Sequence, residues 1–146
     1  MSVIVFIRDS QFGMPIVQSV HLVGITVLLA TMLVLNLRLA GLVMIESPLA
    51  WLARQLAPWT IAAGTVVILS GLLIFVATPA KYLASNPFRF KMAALGLAML
   101  CQFGVLRRFF LVEPSRSRKT NMLVAGLSLT LWFSVGWAGR AIAFVP

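Results

Sequence analysis

The sequence has few residues of the types that build reactive sites. Its 146 residues include one cysteine, one histidine and three carboxylates. A lone cysteine, Cys101, excludes an internal disulfide scaffold and a cysteine-based zinc cluster. The carboxylates Asp9, Glu46 and Glu113 all fall in terminal or connecting segments, which disfavours acid–base catalysis inside a helical core. No glycine pattern resembles a phosphate-binding loop.

Long hydrophobic runs are what the sequence has most of. Hydrophobic residues make up 61% of the chain and charged residues 10%, with a mean hydropathy of +1.03. A bilayer core about 30 Å thick takes roughly 20 apolar residues to cross as a helix, and four runs approach that length. They do not alternate between apolar and polar residues, which excludes a membrane barrel. The sequence therefore predicts an all-α, polytopic transmembrane four-helix bundle.

A single transmembrane domain is expected over residues 1–146. Short connections separate its predicted helices, which lie at about 16–43, 59–78, 88–112 and 121–145. A separate interfacial helix is expected at about 48–56, where Trp51 and Leu52 suit the headgroup layer and Ser47 is a candidate N-cap.

The net charge of +9 comes from twelve Lys and Arg residues against three carboxylates. The cations lie at predicted helix ends without interleaved aromatic residues, so the pattern indicates membrane topology and excludes nucleic acid as a partner. The connection between the third and fourth helices is the most basic one. The positive-inside rule places it in the cytoplasm of a bacterial inner membrane, with both termini outside.

His21 is the most informative polar residue, because it falls inside the first predicted helix. Lys91 and Met92, at the start of the third helix, are expected at a similar depth, and so is Arg140, near the end of the fourth. These residues would bring together an imidazole, a thioether and cations that can bind an anion or a propionate. We therefore take His21, Met92, Arg140 and Lys91 as candidate cofactor-binding residues.

Three interpretations of His21 stay open. In the structural one, His21 forms a hydrogen bond to a neighbouring helix through Ser134 or Thr78. In the second, it is the metal-binding residue for a tetrapyrrole, either haem or chlorin. The third is a copper or proton-relay site, although no second histidine and no cysteine motif supports a metal cluster.

A polar seam is expected near the inner face, made of Gln18, Asn36, Arg38 and Gln102. Helical geometry places Gln18 and Asn36 on one face of the first helix. Arg38 either extends to the headgroups or binds a substrate.

Several stretches resemble a known family. Gln18-Ser-Val-His-Leu-Val-Gly24 and Asn36-Leu-Arg-Leu-Ala-Gly41 are similar to an uncharacterised bacterial four-helix integral membrane family, a domain of unknown function. The similarity continues through Ser70-Gly71 to Gly139-Arg140. It implies the fold and topology but no activity. That family typically has an acidic residue before the histidine and an aspartate at the position of Asn36, so proton transfer or cation binding is disfavoured here.

Two functions are expected from these observations. The first is a non-catalytic accessory subunit of a larger inner-membrane complex, in contact with lipid and with other subunits or further copies of itself. Its small-residue faces, such as that of Gly96 and Gly104, would bind foreign helices. The alternative is a tetrapyrrole-binding electron-transfer or pigment protein that uses His21. An enzyme is not favoured.

Overall fold

The computed structural model describes residues 3–106 and 117–142. Every regular element in these two ranges is helical, as predicted. A π-helical segment, Cys101–Leu106, continues the fifth helix. The α-helices are α1 (Val3–Asp9), α2 (Gly13–Leu39), α3 (Leu49–Ala77), α4 (Pro79–Ala84), α5 (Asn86–Leu100) and α6 (Arg118–Ala141).

Three helices, α2, α3 and α6, are long and apolar enough to cross a membrane. The mean hydropathies of their most apolar windows are 2.2, 2.4 and 1.5, and at most 28% of any of these windows is buried inside the protein. Apolar side chains left exposed in this number are stable in lipid rather than in water. The expectation of a multi-pass membrane protein is confirmed at this level. α5 is shorter, at 15 residues.

The long helices pack in the order α3, α2, α6, α5. α2 lies along α3 on one side and contacts α6 on the other, and α6 lies along α5. Gly24 makes the α2–α3 approach close, because a Cβ at this position would lie 3.0 Å from Val67 Cγ2. At the other end of α3, the ring of Phe75 stacks on that of Phe88 with centroids 5.7 Å apart.

Two apolar clusters hold these helices together. The first contains the buried residues Leu35, Leu39, Ala40, Leu49, Leu52 and Ala125. The second, one to two helical turns away, is made of Met32, Ala98 and Trp132. Each cluster joins three helices, so both fix the register of α2 against its neighbours.

A glycine ends α2 four residues earlier than the predicted end at 43. Gly41 has a φ of +73°, in the left-handed region that favours glycine. Its N–H donates to the Arg38 carbonyl, and the N–H of Leu42 donates to the Leu37 carbonyl. This is the Schellman arrangement, which satisfies carbonyls that the helix end would leave unpaired.

The interfacial helix predicted at 48–56 is not separate from the second predicted helix. α3 runs without a break from Leu49 to Ala77, with Pro58 inside it. A proline inside a helix removes the hydrogen bond from its own nitrogen and crowds the carbonyl four residues earlier, so a continuous helix here needs support from packing. Leu49 and Leu52 are buried against α2, and this packing holds the first turns of α3 in the helix.

The other helix starts differ from the prediction by two or three residues. α2 begins at Gly13, α5 at Asn86 and α6 at Arg118. Ser117 caps α6, because its Oγ accepts a hydrogen bond from the N–H of Thr120. The predicted ends at 112 and 145 lie outside the described residues.

The end of α2 gives a matched pair of glycine substitutions. A Cβ at Gly41 or at Gly64 would meet no atom within 4 Å, so the two sites differ only in backbone conformation. Gly41→Ala should lower the free energy of unfolding by about 1 to 2 kcal/mol, because alanine is strained in the left-handed region. Gly64→Ala, inside α3, should leave it unchanged or raise it by up to about 1 kcal/mol.

Denaturant unfolding in detergent micelles measures both effects. If Gly41→Ala is as stable as the wild type, the glycine termination of α2 is incorrect.

Candidate functional site

His21 reaches across from α2 to α3. Its Nδ1 atom lies 2.8 Å from Oγ of Ser70, which is 5% exposed. Ser70 Oγ also lies within hydrogen-bonding distance of the Val66 carbonyl on its own helix. The structural interpretation of His21 therefore has a partner, and this partner is Ser70 rather than Ser134 or Thr78.

The proton positions follow from the chemistry of the serine hydroxyl. A hydroxyl has a single hydrogen, and the Val66 carbonyl can only accept one, so Ser70 donates to Val66. Ser70 then accepts from His21, and the ring proton must lie on Nδ1. In neutral His21, the other ring nitrogen, Nε2, consequently carries a free lone pair.

Gly71 and Gly139 leave space for the side chains of His21 and Lys91. A Cβ at Gly71 would lie 3.1 Å from His21 Cε1, so the imidazole rests directly on the backbone of α3. A Cβ at Gly139 would lie 3.5 Å from Nζ of Lys91, so the lysine side chain lies against the backbone of α6. Lys91 is half-buried, and its charge interacts electrostatically with His21.

Residues from four helices therefore meet at one level. We call this group the His21 layer: His21 of α2, Ser70 and Gly71 of α3, Lys91 of α5 and Gly139 of α6. The layer combines a ring nitrogen with a free lone pair and an ammonium group. An imidazole nitrogen is a common metal ligand in proteins, and an ammonium group pairs with anions.

The other two candidate cofactor residues lie on outward faces. Met92 is 48% exposed, although it follows Lys91 directly in the sequence. Arg140 is exposed near the end of α6. Successive residues of a helix point about 100° apart, so Met92 cannot share the inward direction of Lys91. The structure thus brings His21 and Lys91 together and leaves Met92 and Arg140 at the periphery.

The polar seam is only partly buried. Asn36 is 0% exposed and Gln102 is 6% exposed, whereas Gln18 is exposed. Burial along α2 concentrates in its C-terminal half, where α3 and α6 both cover it. Gln18, near the N-terminal end of α2, lies beyond this covered part even though helical geometry aligns it with Asn36.

Arg38 holds the connection between α2 and α3. Its Nε donates to the Ser47 carbonyl over 2.8 Å, and its Nη2 donates to the Ile45 carbonyl over 3.1 Å. Both hydrogen bonds hold the α2–α3 loop, which begins at the left-handed Gly41, against the end of α2. The guanidinium thus has a structural role at the end of α2, which neither of the two predicted roles described.

The described carboxylates are exposed and lie outside α2, α3, α5 and α6. Asp9 is exposed in α1 and forms an ion pair with Arg8, with Nε and Oδ1 2.8 Å apart. This hydrogen-bonded guanidinium lowers the pKa of the Asp9 carboxyl. Glu46 is exposed in the α2–α3 loop, and Glu113 lies outside the described residues. Within residues 3–106 and 117–142, no three His, Cys, Asp or Glu residues are grouped to bind a metal ion.

A shallow groove runs along the outward side of α5 and α6. It is lined by Phe90, Leu129, Thr130, Phe133, Ser134 and Trp137. The hydroxyls of Thr130 and Ser134 donate to carbonyls of their own helix, at 2.9 and 2.7 Å. The groove therefore presents an apolar, aromatic surface, which suits lipid chains better than a polar substrate.

Sequence reasoning missed Ser70, Gly71 and Gly139 as partners of His21 and Lys91. Their only sequence signal was a polar residue beside a glycine within an apolar run, as in Ser70-Gly71. That signal cannot be assigned to a site until the register of α3 against α2 is known.

The His21–Ser70 hydrogen bond predicts a defined tautomer. His21 is the only histidine, so the ¹⁵N NMR spectrum of protein labelled at histidine, purified with a histidine-free tag, reports this one ring. The wild type should show the proton on Nδ1. In Ser70→Ala the ring N–H loses its acceptor, so the preference for a proton on Nδ1 should disappear. The free energy of unfolding should also fall by about 1 to 3 kcal/mol.

Ser134→Ala is the matched control. It removes a serine whose hydroxyl bonds only to its own helix, so both measurements should match the wild type. A wild-type spectrum with the proton on Nε2 would show that the hydrogen bond is assigned in the wrong direction.

Comparison with known proteins gives a family but no activity. No curated protein and no solved structure matches the chain. One family model does match, over residues 4–145, and its description is a family of unknown function, DUF6644. This confirms the similarity to an uncharacterised family that the sequence indicated. Because the match covers almost the whole length, the chain belongs to the DUF6644 family of unknown function.

Proposed function

We propose that the protein is a non-catalytic, four-helix accessory subunit of a larger complex in the bacterial inner membrane. In this proposal α5, continued by the π-helical segment to Leu106, forms a fourth crossing beside α2, α3 and α6. The distribution of basic residues supports an orientation with both termini outside.

The observation that carries this proposal is a glycine-bearing face of α5 that packs against nothing in the described part of the chain. Gly96 and Gly104 are exposed, and a Cβ at either would meet no atom within 4 Å. Leu100, between them, is 72% exposed. α5 uses a different face, that of Ala94 and Ala98, as its buried side.

Small residues on a membrane helix let a second helix approach closely, so that dispersion contacts and backbone contacts can form. An internal helix pair of this kind already exists at Gly24 between α2 and α3. The Gly96–Gly104 face also presents glycine, and no helix covers it within residues 3–106 and 117–142. A helix from another subunit is the partner that fits it.

Purification from native membranes in a mild detergent tests this role. The wild type should elute as a particle larger than the 15.9 kDa chain and contain one constant partner at fixed stoichiometry. Gly96→Leu should lose that partner, because the leucine side chain prevents close helix approach. A lone monomer contradicts the proposal, and a particle made only of this chain would replace the accessory role with a homo-oligomer.

Gly126→Leu is the matched control for this experiment. Gly126, on α6, also has open space around its Cβ position, but it lies on a different helix. This variant should keep the partner, so a loss in both variants would show that the effect is not specific to α5.

We propose a second function, tetrapyrrole binding, because of the geometry of His21. Its Nδ1 donates to Ser70, which leaves the Nε2 lone pair for the iron of a haem or the magnesium of a chlorin. Lys91 would pair with an acidic substituent of the macrocycle. A bound haem would supply one-electron transfer, and the protein would orient the macrocycle through His21 and Ser70.

The absorption spectrum of protein from native membranes tests this second function. A Soret or chlorin band should be present and should disappear in His21→Ala. Met92→Leu, at an exposed position beside Lys91, should leave the band unchanged. A preparation without any such band, or a band that His21→Ala does not alter, rules out tetrapyrrole binding.

A further inference from the structure

Six buried side-chain atoms lack a hydrogen-bond partner in the described part of the chain. Two belong to Ser85 and Asn121, and the other four belong to side chains of α2, α6 and the π-helical continuation of α5. These four side chains are Asn36, Ser128, Trp132 and Gln102, which are 0%, 1%, 3% and 6% exposed. Their unpartnered atoms are Asn36 Oδ1, Ser128 Oγ, Trp132 Nε1 and Gln102 Oε1. An unpaired polar atom in an apolar interior is costly, because it has lost its hydrogen bonds to water without gaining others. Four such atoms within one small domain need an explanation.

Their positions in the helices place Asn36, Gln102 and Ser128 at one depth, with Trp132 in the adjacent turn. Met32, Ala98 and Trp132 pack together as one apolar cluster. Asn36 follows Met32 by one turn, Gln102 follows Ala98 by one turn, and Ser128 precedes Trp132 by one turn. α6 runs antiparallel to α2 and α5, as the contacts of Leu35 with Ala125 and of Lys91 with Gly139 show. The one-turn displacements from Met32 to Asn36, from Ala98 to Gln102 and from Trp132 to Ser128 therefore point in the same direction along the bundle.

The first apolar cluster, that of Leu35 and Ala125, encloses the group from the other side. Leu35 and Leu39 pack there with Ala125, and Cys101 lies against them. Asn36, Gln102 and Ser128 are thus enclosed between two apolar clusters, with the indole nitrogen of Trp132 one turn away. We call Asn36, Gln102, Ser128 and Trp132 the buried polar layer.

Hydrogen-bond chemistry defines what this layer can bind. Nδ2 of Asn36 donates to the Met32 carbonyl over 2.8 Å, which fixes the amide orientation and leaves Oδ1 as a pure acceptor. Gln102 Oε1 is also an acceptor, whereas Trp132 Nε1 is a donor and Ser128 Oγ can be either. A ligand that satisfies all four atoms must donate at least two hydrogen bonds and accept at least one.

Charge excludes an ion as that ligand. The described carboxylates, Asp9 and Glu46, lie in α1 and in the α2–α3 loop, outside the spans. A cation held by neutral oxygens in a low-dielectric core would have no counter-charge, and Trp132 would present it with a donor hydrogen. An anion would face the two acceptor oxygens of Asn36 and Gln102. The ligand is therefore neutral and small, and water has the required donors and acceptor.

We propose that the buried polar layer is an internal hydration site, in which ordered water links α2, α5 and α6. Water donates to Asn36 Oδ1 and to Gln102 Oε1, and it accepts from Trp132 Nε1, with Ser128 completing the network. Buried water of this kind commonly makes about three hydrogen bonds to groups that otherwise lack partners. The site is separate from the His21 layer and does not depend on either proposed function.

Hydroxyl-radical footprinting tests the hydration site. A brief X-ray pulse converts bound water into radicals that oxidise adjacent side chains, and mass spectrometry locates the product. Trp132 is only 3% exposed, so it should be oxidised in the full-length protein in detergent only if water lies beside it. In Asn36→Leu, which removes an acceptor and keeps the branching of the side chain, Trp132 oxidation should fall to the level of the unirradiated sample.

Two further variants keep the test decisive. Gln18→Leu makes a similar change on an exposed part of α2 and should leave Trp132 oxidation at the wild-type level. Ser128→Ala adds no volume, so it should fold even where Asn36→Leu does not, and it should also reduce the oxidation of Trp132. The hydration site is disproved if Trp132 is not oxidised in the folded wild type, or if oxidation is equal in wild type and Ser128→Ala.

Discussion

The absence of water from the hydrocarbon core is the constraint on which the rest of this structure depends. A polar group there must find its partner within the protein. Most hydroxyls in the spans do so locally: Thr26, Thr60, Thr65, Thr130 and Ser134 each donate to the carbonyl four residues earlier. The hydrogen bonds of these side chains stay within one helix, so they do not depend on the position of a neighbouring helix. Polar groups that cannot do this mark the positions where helices depend on each other.

His21 and the buried polar layer are two different solutions to the same constraint. His21 crosses to Ser70 on another helix, and Lys91 brings a charge to that level. The layer around Asn36 is neutral, and its free atoms are acceptors and donors in nearly equal number. The first site offers a ligand atom and a counter-charge, as a cofactor or an anion requires. The second offers hydrogen bonds alone, which suits water.

The hydrophobic pattern predicted most of the fold because the bilayer makes helix length and apolar content nearly sufficient. The helix ends were less predictable, and they depended on individual residues. Gly41 ends α2 through its left-handed conformation, whereas Pro58 leaves α3 intact because Leu49 and Leu52 pack against α2. A proline and a glycine are both typical boundary signals, and only the contacts of the flanking residues distinguish the two outcomes.

The sequence by itself determined that the chain is helical, that lipid is its solvent, and that His21 and Asn36 are unusual polar residues within apolar runs. Tertiary structure decided their partners: Ser70 rather than Ser134 or Thr78 for His21, and a shared depth for Asn36, Gln102 and Ser128. It also placed Met92 and Gln18 on exposed faces. The physical reason is that periodicity defines only the direction of a side chain about its own helix. The rotation and vertical offset of one helix against the next come from close packing at residues such as Gly24, Ala98 and Ala125.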